Sequence, residues 1–189
     1  MSQPERRFLT SNPPKSSGRK VSGYGALFGS RSQNLGTTDC PMHEIILPGA
    51  FDGRLNDTVL ALFNHDQNLI LARTAGGEGT LKLSVDNIGL RYEFEAAETT
   101  TGNDLLEGIR RGDIAGSSFA FTVAHGGDTW TPEGRGALRT IAKISRLFDC
   151  SPVVSPAYAE TTVTARALTA IPTPTPIRNA WAKRFELLK

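Results

Sequence analysis

Long apolar runs are missing from this chain. No stretch approaches the roughly 20 consecutive apolar residues that a bilayer-spanning helix needs, so no helical membrane span is expected. The N-terminal residues, with Glu5, Arg6 and Arg7 followed by Pro13-Pro14-Lys15, lack the apolar core of a secretory signal. Cysteine is scarce: Cys40 and Cys150 are the whole complement. Their spacing suggests neither a disulfide framework nor a zinc site, and two reduced thiols in a cytosolic setting are expected. Cys150 follows Asp149, so it reads either as a nucleophile or as a small buried residue among apolar neighbours. Charge of one sign is not in excess either. A formal net charge of +2 does not by itself point to nucleic acid. Basic residues do gather at the ends, as Arg6, Arg7, Lys15, Arg19 and Lys20, then Arg178, Lys183, Arg184 and Lys189. They serve solubility or draw the chain to acidic partners in an assembly. No internal repeat is visible.

What is present suits one globular domain with tails: 189 residues, 39% hydrophobic and 21% charged. Residues 1 to about 20 are polar and rich in Pro, Ser and Lys, and read as a flexible arm. Strand-like patterns follow at Val21 to Phe28, His43 to Leu47, Val59 to Phe63, Thr80 to Val85, Leu90 to Ala96, Ile114 to Val123 and Leu138 to Leu147. Gly23 and Gly25 suggest close backbone approach. Asp86 to Gly89 joins two alternating strands as a hairpin. Asp104 to Arg111 fits a helix with Leu105, Leu106 and Ile109 as its buried stripe, capped by Asn103 or Asp104 and stopped by Gly112. Ala50 to Leu55 reads as a short helix. Behind the stiff segment Ile171 to Pro176, a short basic helix over Ala180 to Lys189 aligns Trp181, Phe185 and Leu188.

Three chemically useful groups sit at the edges of apolar runs. Val59 to Phe63 is apolar throughout and delivers Asn64-His65-Asp66 at its exit. A histidine there is held firmly yet can face a cleft, and Asp66 beside it could bond it or raise its pKa. No second histidine lies at metal-ligand spacing and no acidic cluster accompanies it. Strand alternation places Phe119, Phe121 and Val123 on one face and Ser118, Ala120 and Thr122 on the other. Asp149 lies in an apolar context, where a carboxylate needs a partner or costs several kcal/mol. Each group has a structural reading: a packed histidine, a turn serine, a carboxylate bonded to backbone amides. No Gly-x-Ser-x-Gly elbow exists. A hydroxyl, an imidazole and a carboxylate are nevertheless what nucleophilic acyl transfer requires.

The order His, Ser, Asp differs from the triad orders of chymotrypsin, subtilisin and the α/β-hydrolases. His then Ser then a third member resembles the assemblin-type proteases of herpesviruses, whose third member is a second histidine. Closer still, Glu44-Ile45-Ile46-Leu47-Pro48-Gly49-Ala50-Phe51, Phe63-Asn64-His65-Asp66, Arg73-Thr74, Gly79-Thr80-Leu81, Gly112-Asp113-Ile114, Gly116-Ser117-Ser118-Phe119-Ala120-Phe121 and Asp149-Cys150-Ser151-Pro152-Val153 with Pro156-Ala157-Tyr158 resemble the caudovirus prohead serine proteases of HK97-type phages. The resemblance runs from about Val21 to Arg166.

That resemblance implies a catalytic His65, a nucleophile at Ser118 rather than Ser117, and an acid at Asp149, where relatives often carry Glu. Ala120 stands where glycine is frequent. The implied fold is a β-rich α+β one, a closed or nearly closed β-barrel with flanking helices of herpesvirus-protease type. The implied organisation is an arm over 1–20, a protease domain over 21–168, and a Pro-rich linker with a basic tail over 169–189. The implied activity is serine endopeptidase cleavage of the scaffold or delta domain of the major capsid protein, and of the protease's own tails, inside a prohead in the host cytoplasm. Portal and a second copy of the chain stay open as partners; membrane and nucleic acid are not expected. No metal or organic cofactor is implied. An oxyanion hole is required, with Arg73 and Arg139 as candidate contributors beside backbone amides. Two alternatives stay open: His125 in place of Asp149, and a catalytically inactive capsid-assembly or scaffold module in which His65 and Ser118 are structural.

Overall fold

The structure is a computed structural model and describes residues 4–154. The Pro-rich linker and the basic tail expected over 169–189 lie outside the described residues. Among those described, thirteen strands and one helix are present, and the strands form three sheets.

The site is carried by a six-stranded sheet. Its members are β1 (Glu5–Leu9), β5 (Val59–Leu62), β6 (Ile70–Ala75), β7 (Glu78–Gly79), β10 (Gly116–Val123) and β13 (Ile144–Val153), in the order β1-β10-β13-β5-β6-β7. β13 and β5 run parallel; the other pairs are antiparallel. A four-stranded antiparallel sheet joins β2 (Lys15–Ser17), β3 (Lys20–Leu27), β8 (Leu81–Val85) and β9 (Gly89–Glu95). The third sheet holds β4 (Met42–Ile46), β11 (Asp128–Glu133) and β12 (Gly136–Ile141). The hairpin expected around Asp86 to Gly89 is β8–β9, with Asp86 Oδ1 accepting from the Ile88 and Gly89 amides at 2.8 and 3.0 Å.

The core lies between the sheets. Phe119 and Phe121 of β10 stack at 4.7 Å between ring centroids, and Phe51 meets Phe119 edge-on at 5.8 Å. Tyr92 of β9 is fully buried, as are Leu81, Leu90, Leu105 and Leu147; each such side chain contributes about 1.5–3 kcal/mol by leaving water. Gly25 of β3 sets how closely the sheets approach. A Cβ there would run into Cys150 Sγ of β13, so the missing side chain is what lets the two layers meet.

The expected closed or nearly closed barrel of herpesvirus-protease type, with several flanking helices, is corrected by this topology. The three sheets are open and do not form one continuous closed ladder. The six-stranded sheet ends at β1 and at β7, and β7 is two residues long. Alternation of apolar residues reveals which face of a strand is buried, but not which edge finds a partner. The expected helix over Ala50 to Leu55 is a run of turns. The only helix among the described residues is α1 (Thr100–Arg111). It starts before Asn103 because Thr99 is the cap, its side chain accepting from the Gly102 amide at 3.2 Å. Gly112 ends it in the left-handed region at φ 81°, its amide bonding the Ile109 carbonyl at 3.1 Å. The N-terminal residues read as a flexible arm include β1 and β2. Among the described residues no helix is long and apolar enough to cross a membrane.

Candidate active site

Three elements bring His65, Ser118 and Asp149 together. β5 ends at Leu62, and the chain folds into a tight loop: the Phe63 amide bonds the Leu69 carbonyl at 2.9 Å and the Asp66 amide bonds the Phe63 carbonyl at 3.0 Å. Asn64 and His65 both take the left-handed region, at φ 53° and 62°. That conformation is uncommon outside glycine and costs about 1–2 kcal/mol per residue. It turns the imidazole back over the sheet. The Asn64 amide bonds the Pro152 carbonyl at 3.3 Å and ties the loop to β13. Asp66 does not serve His65: its Oδ1 accepts from the Asn68 amide and side chain at 2.8 and 2.9 Å, closing the loop upon itself.

Ser118 occupies the face of β10 away from the phenylalanine core. Its Oγ is 2.6 Å from His65 Nε2. Ser117 faces the opposite way and shares a 2.9 Å hydrogen bond with Tyr92 Oη. Burial pushes the Tyr92 phenol upward, and the Ser117 hydrogen bond only partly offsets this. The two adjacent serines therefore have separate partners: one meets the imidazole, the other lies in the core.

Asp149 reaches the same face through β13, across from Ala120. Its Oδ1 lies 2.9 Å from His65 Nδ1, with the two side chains 6% and 9% exposed. The oxygen sits off the ring N–H axis, so the pair is in close contact without an aligned hydrogen bond. Catalytic hydrogen bonds are commonly misaligned before substrate binds. Ser151, two residues on and on the same face, donates from Oγ to Asp149 Oδ1 at 3.1 Å and accepts from the Leu62 amide at 3.1 Å. It links β5, which delivers His65, to the carboxylate that faces it. Sequence reading passed over Ser151; its one signal is the i, i+2 spacing from Asp149 within a strand.

The remaining candidates lie elsewhere. His125 is exposed in the turn beyond Val123, past the end of β10 remote from Ser118. Cys150 points into the core, where burial, with Asp149 adding to it, raises its thiol well above the ordinary range; it has no thiolate to attack with. Cys40 is exposed and both cysteines are free. Arg73 is exposed on β6. Arg139 is engaged in an ion network, bonding Asp128 Oδ2 at 2.6 Å, Glu5 at 2.6 Å and Glu44 Oε1 at 2.8 Å. Its burial opposes the charge, but Glu5, Asp128 and Glu44 together raise its pKa. Arg7 joins the network by bonding both carboxylate oxygens of the buried Glu44. Among the described residues no group of three or more His, Cys, Asp or Glu is placed to hold a metal ion.

Residues 9–174 match the family model of the caudovirus prohead serine proteases. The chain belongs to that family and is a serine protease of bacteriophage capsid maturation. No curated protein is significantly similar to it. Among solved structures it is similar to the bacteriophage T4 capsid assembly protease, gp21, at 11% identity and a TM-score of 0.48, over 82% of this chain and 100% of that chain.

Proposed function

We propose that the chain is the prohead maturation endopeptidase of its phage, with Ser118 as nucleophile, His65 as general base and acid, and Asp149 as orienter. The observation that supports this most is the 2.6 Å approach of Ser118 Oγ to His65 Nε2 with Asp149 Oδ1 at 2.9 Å from Nδ1. With its proton on Nδ1, toward Asp149, the imidazole leaves Nε2 free to accept the Ser118 proton. Oγ then attacks the scissile carbonyl. The protonated imidazole next gives that proton to the leaving amine, and water repeats the sequence to release the acyl group. Asp149 holds the ring in one tautomer and stabilises its positive form. Ser151, bonded to both Asp149 and the Leu62 amide, keeps the carboxylate from turning away.

The family's setting supports the substrate reading: the scaffold or delta segment of the major capsid protein and the protease's own tails, cleaved within the prohead in the host cytoplasm. The domain reading is that 21–168 carries the protease and 169–189 a removable tail. Fluorophosphonates test the nucleophile directly, because the adduct stays on the serine that attacks. Peptide mapping after labelling is expected to find the adduct on Ser118. An adduct on Ser117, or labelling unchanged in the Ser118→Ala variant, contradicts the assignment.

A further inference from the structure

Ser118 is 0% exposed. A serine that must meet a peptide carbonyl is covered in this conformation, and β1 is among the elements that cover it. Both edges of β10 are paired, one with β13 and the other with β1. Phe8 stands directly opposite Ser118 in the β1–β10 ladder, and directly opposed residues in an antiparallel pair share a face. The Phe8 ring meets the His65 ring edge-on, with centroids 5.8 Å apart. The N-terminal strand thus lies along the nucleophile's strand as an extended chain, one side chain against the imidazole.

Three further features separate β1 from the rest of the sheet. The matched family region begins at Leu9, so Glu5–Phe8 lie outside it. β1 has a ladder partner on one side only. Glu5, Arg7 and Leu9 share its inward face, and Glu5 and Arg7 reach Arg139 and Glu44, so ion pairs clamp most of the strand's inner side. Strand exchange at such an edge is a common mode of peptide binding, in which backbone hydrogen bonds supply affinity and alternate side chains supply selectivity.

We propose that the β1-facing edge of β10 is the docking edge for the substrate strand, and that residues Glu5–Leu9 are its intramolecular occupant, displaced when an extended substrate peptide binds. The occupant keeps the serine covered until substrate is present in high local concentration, as in a filled capsid precursor. An incoming segment places an apolar side chain against His65 where Phe8 now lies. This rests on the Ser118 assignment above, and its test distinguishes failure of the one from failure of the other.

The experiment measures the rate of fluorophosphonate labelling for the full chain, for a variant lacking residues 2–9, and for Phe8→Ala, which retains the strand but removes its ring. Circular dichroism and melting curves establish that each is folded. Both variants are expected to label at Ser118 at least ten-fold faster than the full chain. A synthetic peptide of residues 4–10 added to the deletion variant is expected to slow labelling again, and the same peptide with Ala at position 8 to do so much less. If the deletion variant does not fold, the Phe8→Ala rate decides alone. Equal Ser118 labelling rates in all folded forms, with no effect of the peptide, overturn the covering strand while leaving the nucleophile in place. Absence of labelling at Ser118 in every folded form overturns both.

Discussion

Asp149 carries the assignment that separates this site from a Ser-His-His arrangement. Its carboxylate is in reach of His65 Nδ1, whereas His125 stands exposed in a turn. Asp149→Asn keeps the shape but favours the wrong imidazole tautomer, and is expected to lower kcat by about 10⁴-fold. His125→Ala is expected to leave kcat within about two-fold, since exposed residues away from the reacting atoms perturb little. Steady-state cleavage of a capsid-precursor peptide measures both. Ser151 has a smaller but specific role. Ser151→Ala removes a hydrogen bond to a charged group, worth about 1.5–3 kcal/mol, so kcat is expected to fall about 10- to 100-fold with KM unchanged. Ser151→Thr restores the hydroxyl and is expected to recover most of that loss; a merely structural role would show no such split. Much of this scale was legible in the sequence. The family resemblance is what singles out His65, Ser118 and Asp149 in the sequence; the exit of a buried strand, strand alternation and a carboxylate in an apolar run each fit a structural role as well. Ser151 was not, because its hydroxyl gains meaning only when β5 lies alongside β13. Asp66 was misleading for a related reason: sequence adjacency to His65 gives it no contact once Asn68 turns it into the loop.

At the scale of elements, β1 is held by charge. Burial alone would raise the Glu5 carboxyl, but Arg139 and Arg7 outweigh it and hold its pKa below the usual carboxylate value. Groups depressed in the folded state contribute stability at neutral pH and lose it as pH falls through the folded value. The groups facing Glu5 are Arg7 from its own strand, Arg139 from β12 and, through that arginine, Glu44 of β4 and Asp128 of β11. Amide exchange at Glu5–Leu9 is therefore expected to accelerate relative to β13 when the pH is lowered from about 7 to about 3, below the ordinary carboxylate range. Arg139 is the hub. Arg139→Met leaves Glu44 buried with Arg7 as its remaining partner; breaking a buried pair from one side costs about 3–5 kcal/mol. A loss of at least about 3 kcal/mol in urea unfolding is expected. None of this could be read from Glu5-Arg6-Arg7-Phe8-Leu9 alone, where nothing local shows that two of the three charges face inward, one of the devices that protect an edge strand. By contrast the C-terminal part of α1 was legible through its apolar spacing and the stop at Gly112, whereas its cap at Thr99 was not.

The whole molecule differs from the expected barrel for a physical reason that sequence periodicity does not encode. Apolar alternation places β8, β9 and β10 where expected, whereas the strand expected over Leu138 to Leu147 is split between β12 and β13 of two different sheets. Which edges pair is decided by contacts between distant segments, as where Asp149 of β13 meets Leu60 of β5 in parallel. Three open sheets that share one core position the site as follows: β10 and β13 supply the hydroxyl and carboxylate from adjacent strands, and the loop after β5 brings the imidazole to them. Placing three groups from distant parts of the chain within about 3 Å is what converts weak side-chain chemistry into catalysis. Processing of the capsid precursor by this constellation is the function proposed for the chain. The measurement that bears on it most directly is intact mass over time for wild type and Ser118→Ala, each co-expressed with its matching capsid precursor. Discrete trimming of the precursor, and of the protease's own tails, is expected from wild type alone. Equal trimming by the Ser118→Ala variant would contradict it.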